Sequence, residues 1–174
     1  QGNLIDLFFI TITFNGDNTM SMDLLYKDAN NDIQDVINMS NINCGAFQRQ
    51  IDHVIQSAAE NAGGYARTAQ MRYDREQNVQ AGEEFPDHEY LNHLRQDRDQ
   101  GNNDFNAVNQ LRASWDLYRE DITDRISTAT MMKLCAYVLQ DEASPRYTQV
   151  YATRIIMELI DVLNYQGDLE VYFS

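Results

Sequence analysis

From Asp104 to Tyr165 the chain reads as two long amphipathic segments joined at Asp141-Glu142-Ala143-Ser144-Pro145. In the first, Val108, Leu111, Trp115, Tyr118, Ile122, Arg125, Ala129, Met132, Ala136 and Leu139 recur at alternating spacings of three and four. Nine of those ten positions are apolar, the a/d pattern of a helix with one buried seam. Arg125 is the exception and is expected to mark a bend. The second segment, Pro145 to Tyr165, is apolar over most of its surface and is expected to be the most buried helix. Ser144-Pro145 has the cap-then-proline form of a helix start.

Ahead of this pair the periodicity changes. Residues 4–14 are β-branched and aromatic, with Phe8, Ile10, Ile12 and Phe14 on one face. Asn15-Gly16-Asp17-Asn18 supplies turn chemistry, and Met20, Met22 and Leu24 alternate after it, so residues 1–27 predict a β-hairpin. A hairpin alone is marginal in water and needs a further strand or a helix against it. Leu169, Val171 and Phe173 alternate beyond Gly167, which makes 168–173 the expected third strand. Lys27 to Gly45 is rich in Asn and Asp and predicts at most a short helix around Ile33-Val36-Ile37.

Phe47, Ile51, Val54, Ile55, Ala58 and Ala62 mark a helical stripe over 46–64, expected to stop at Gly63-Gly64. Residues 65–103 have helix formers but few apolar anchors and read as a polar helical excursion. Breaks are expected at Gly82 to Pro86 and at Gln100 to Asn103, and Asp87 is placed to cap a short helix. The expected architecture is therefore a single domain, 1–174, of α+β class. It is predominantly α-helical, a helical bundle built on the C-terminal pair 104–165 with a small antiparallel sheet.

The charge balance bounds the function. There are 27 acids against 13 bases, a net charge of −14, and just two lysines, Lys27 and Lys133. Binding a nucleic acid rests on cationic contacts to phosphate, and an anionic membrane surface makes the same demand, so neither is an expected partner. No apolar run reaches membrane-spanning length, and no basic stretch followed by an apolar one opens the chain. Cys44 and Cys135 make no disulfide framework, which fits a reducing compartment. The expected localisation is cytoplasmic, in the host cytoplasm if the protein is viral.

Motifs for chemistry are absent or defective. The only double glycine is followed by no Lys-Ser/Thr, and no Gly-x-Ser-x-Gly occurs. Asp28, Asn30 and Asp32 imitate the start of a calcium loop, but Ile33 and Met39 stand where glycine and a bidentate glutamate are required. His88 and His93 are five residues apart, hence about 140° apart on a helix, and cannot share a metal. No catalytic residue, metal site or cofactor is expected.

What remains is acidic surface. Asp116, Glu120 and Asp124 form a ladder at helical spacing; Glu83, Glu84, Asp87 and Glu89 form a second cluster, followed by Asp97 and Asp99. The bland reading is a solvated surface with local pairs, such as Arg112 four before Asp116. The sharper reading makes these nine acids a partner-binding surface that imitates nucleic-acid phosphates. The expectation is a non-enzymatic acidic protein acting by protein–protein contact on a basic or nucleic-acid-binding protein. A phage-type inhibitor, anti-CRISPR or antirestriction, is the form of it that suits the size and charge. The alternatives are an assembly subunit that homodimerises through the helical seam, and a small carboxylate- or metal-dependent enzyme.

Overall fold

The computed structural model describes residues 21–28, 30–120 and 125–173. Strand β1 (Ser21–Lys27) turns back into β2 (Ile33–Ser40), and β4 (Glu170–Phe173) lies along the other side of β1. A two-residue strand, β3 (Ile126–Ser127), extends this into an antiparallel sheet of order β2-β1-β4-β3. Among the described residues four helices accompany it: α1 (Asn41–Gln80), α2 (His88–Glu120), α3 (Thr128–Gln140) and α4 (Arg146–Gln166). The protein is a predominantly helical α+β fold. β4 is the third strand expected near the C-terminus, released from α4 by Gly167 at φ 85°, a conformation that costs glycine little.

The first strand of the expected hairpin, 4–14, lies outside the described residues. β1 pairs with β2 through a turn opened by Asp28. One Asp28 oxygen accepts the N–H groups of Asn30 (2.9 Å) and Asp32 (3.0 Å), and the other accepts from the Gln34 amide (3.0 Å). Asn31 takes the left-handed conformation at φ 71° that asparagine tolerates. β2 replaces the short helix read around Ile33-Val36-Ile37. Its alternation is interrupted because the register shifts between Leu24 and Leu25, leaving Val36 as an extra residue. Val36 and Ile37 are consequently neighbours in sequence and yet both buried.

The helices also run longer, and break elsewhere, than periodicity implied. α1 continues through Gly63-Gly64 for 40 residues, and α2 passes through Gly101. Gly63 and Gly101 serve close helix approach rather than termination. A Cβ on Gly63 would stand 2.9 Å from the Phe105 ring, and one on Gly101 would stand 3.3 Å from the Ala66 Cα. The polar excursion 65–103 is thus the far half of an antiparallel α1–α2 pair, closed by a tip at 81–87.

Within 104–165 the long first segment is two helices, not one bent at Arg125. α2 stops at Glu120, β3 joins the sheet, and Ser127 caps α3 by accepting the Thr130 N–H at 3.1 Å. The seam moves by one position across this break. Val108, Trp115 and Tyr118 are buried as expected, but in α3 the buried apolar residues are Met131, Leu134, Cys135 and Val138, while Leu139 is exposed. α4 buries Ala152, Ile155, Leu159 and Val162 but leaves Val150, Met157 and Ile160 exposed, so it is not covered on all sides.

The core joins the near half of α1, the last turns of α2, both C-terminal helices and the sheet. Phe47 stands edge-on to Tyr151 and Phe173, and Tyr118 lies 5.3 Å from Trp115, ring centre to ring centre. No buried residue beyond Ala59 in α1 or before Val108 in α2 belongs to this cluster. Residues 60–107 therefore leave the core as a two-helix arm.

Candidate functional site

The arm is held together by little apolar area. Ala66, Ala69, Tyr73 and Leu94 are its buried side chains, with Gly63 and Gly101 at the crossing. Arg98 straps the pair from outside: its guanidinium lies 4.3 Å above the Tyr73 ring and donates to Asp99 at 2.7 Å.

At the tip, chain reversal is tightly bonded. The Gln80 Oε1 accepts the Asp87 N–H at 2.6 Å, and the Asp87 Oδ1 accepts the Tyr90 N–H at 2.9 Å as the N-cap of α2. Asp87 is the cap that the sequence indicated. Glu89 follows in the first turn, where negative charge suits the helix dipole. Glu83 and Glu84 are exposed in the loop between them. Phe85 is 86% exposed, with Val79 and Tyr90 exposed on the two flanking helices. From Glu76 to Leu94 there are five carboxylates and no lysine or arginine.

The other acids are elsewhere. Asp97 and Asp99 lie exposed along α2, Asp99 occupied by Arg98. Asp116 pairs with Arg112 at 3.5 Å, and Glu120 is the last residue of α2, roughly 45 Å along the helix from Glu89. Asp124, the third rung of the expected ladder, lies outside the described residues. Glu83, Glu84, Asp87 and Glu89 are brought together; Asp97, Asp99, Asp116 and Glu120 are spread along α2 toward the core. Phe85 was not among the residues singled out from sequence, although Phe85-Pro86 inside an acidic loop was the available signal; Val79 and Tyr90, at positions that helical spacing directs inward, are exposed instead.

Elsewhere little chemistry is assembled. Asp28, the first residue of the imitation calcium loop, spends both oxygens on its own turn. Burial alone would raise its pKa, but the Asp32 and Asn30 N–H groups and the Gln34 amide hold it below the ordinary carboxylate value. His88 and His93 are exposed on α2, and among the described residues no group of three His, Cys, Asp or Glu converges as metal ligands. A groove of about 510 Å³ between α2 and α3 holds Lys133 among amides, hydroxyls and small apolar groups, and no carboxylate, imidazole or thiol lines it. A smaller one, about 160 Å³, is edged by Glu158 and Asp161 of α4. Cys135 is fully buried and its thiol pKa is pushed far up by burial, the state of an unreactive thiol. No helix among the described residues is long and apolar enough to cross a membrane.

No family model, no curated protein and no solved structure matches the chain.

Proposed function

We propose that this is a non-enzymatic binding protein whose contact site is the tip of the α1–α2 arm, and that its partner presents a basic surface with an apolar recess. The observation that carries the reading is the composition of that tip: an almost fully exposed Phe85 flanked in sequence by exposed Glu83, Glu84, Asp87 and Glu89, with no lysine or arginine between Glu76 and Leu94. A single aromatic anchor with a charged rim is the usual makeup of an interface hot spot. The rim sets orientation and association rate against a cationic partner. An inhibitor that occupies the basic groove of a nucleic-acid-binding protein is one form of this reading, supported by the net charge and not by any phosphate-like spacing of the acids.

The test is affinity capture with three baits: the natural chain, a tip variant Phe85→Ala/Glu83→Lys/Glu84→Lys, and a base variant Glu120→Lys. The expected result is a basic protein held by the natural and base-variant chains and released by salt. It is lost from the tip variant, and Phe85→Ala alone costs about 2 kcal/mol, roughly 30-fold in affinity. Addition of DNA or RNA displaces the complex if the partner's nucleic-acid site is the surface occupied. Capture that the tip variant retains in full refutes the assignment.

A further inference from the structure

We propose that the solvent face of α4 is a self-association surface, pairing two copies of this chain antiparallel across Met157. α4 carries an apolar stripe toward the core and a second, part-apolar stripe toward solvent. Thr148, Ala152, Ile155, Leu159 and Val162 make the one that faces the core. On the opposite side Val150, Thr153, Met157, Ile160 and Asn164 recur at spacings of three, four, three and four, which is a second a/d seam. Val150, Met157 and Ile160 on it are 48%, 63% and 42% exposed. A lone exposed apolar residue needs no explanation, but a heptad seam directed at water does.

Charge complementarity selects a second copy as the occupant. Arg154 lies three residues before Met157 and Asp161 four residues after it. They are two turns apart on one flank of the seam, both exposed, and neither makes an ion pair among the described residues. When two α4 helices pack antiparallel with their Met157 side chains opposed, the two-fold axis keeps each flank on its own side and reverses its direction. Each Arg154 then stands within about 1.5 Å of level with the other copy's Asp161. One contact is thus made twice, as an isologous interface requires. A parallel pairing would set Arg154 level with Arg154 and lose the complementarity. The seam covers two heptads, an interface at the small end of the stable range, so the dimer dissociates on dilution.

The experiment is sedimentation equilibrium of the whole chain from micromolar to hundreds of micromolar, with circular dichroism to verify folding. The expected result is a monomer–dimer equilibrium reaching twice the 20.1 kDa chain mass. Met157→Glu abolishes it at unchanged helical content. Arg154→Glu and Asp161→Arg each weaken it at least tenfold, and the double variant recovers it. An equimolar mixture of the two single variants forms a mixed dimer. In it the glutamate introduced in one copy meets the arginine introduced in the other, and the Arg154 and Asp161 left unchanged meet each other. A folded natural chain that stays at monomer mass throughout overturns the proposal and leaves the face to another partner. So does a dimer indifferent to Met157→Glu, or single-variant losses that neither the double variant nor mixing repairs.

Discussion

One carboxylate, Asp52 on α1, holds the base of the arm to α2. It accepts the Trp115 indole N–H at 2.6 Å and lies 3.3 Å from Arg119 Nε, while Arg119 also donates to Gln48. Trp115 is wholly buried, and Asp52→Ala removes the acceptor of its N–H. The expected loss is about 1–3 kcal/mol, measured as a lower urea midpoint with unchanged slope. Tyr118 provides a test by pH. Burial pushes its phenol up to about 12 from 10.0, against the lowering effect of the Phe173 N–H that donates to it at 2.9 Å. Folding therefore favours the neutral phenol. That contribution, about 2–3 kcal/mol, is complete below pH 10 and is lost as pH rises through 12. Tyr118→Phe should cost about 1 kcal/mol at neutral pH but flatten the alkaline limb of the stability profile. Helical spacing was enough to point Trp115 and Tyr118 inward. It had no means to pair Trp115 with Asp52, 63 residues away, or to separate acids at an arm tip from acids along its side.

The glycines decide where elements run. At Gly101 a Cβ would meet Tyr65 at 3.1 Å and the Ala66 backbone at 3.3 Å, whereas at Gly64 it would meet nothing within 4 Å. Gly101→Ala is expected to destabilise by about 1–3 kcal/mol through overpacking, despite alanine's better helix propensity. Gly64→Ala should stabilise by up to about 1 kcal/mol. Thermal melts of the two variants should move in opposite directions. A double glycine after a fading apolar stripe has the same local form whether it ends a helix or admits a neighbouring one, and only the partner helix distinguishes the two. β4 was legible because Leu169, Val171 and Phe173 alternate without interruption after Gly167. β2 was not, because the bulge puts Val36 beside Ile37 and breaks the two-residue period. Likewise the heptad through Arg125 was numerically continuous across the interval between α2 and α3 that includes β3. The α4 stripe facing water looked like core because apolar spacing records a buried face without saying what covers it.

Across the whole molecule stability is graded from core to arm. Phe47, Ile51 and Ile55 are fully buried in the core, while beyond Ala62 the two arm helices, among the described residues, pack mainly on each other. Hydrogen exchange should reveal amides of 64–80 and 88–104 opening at lower free energy than those of 47–58 and 131–138. Equal protection along α1 would contradict the division into core and arm. Because α1 and α2 leave the core together and, among the described residues, pack mainly on each other, the arm is a ruler. Taking seven residues from each helix between Gly63 and Tyr73, and from the facing turns between Leu94 and Phe105, would draw Phe85 inward by about 10 Å and leave every core residue in place. The reach of this protein is set by a count of helical turns, and can change from one sequence to another while the fold stays the same.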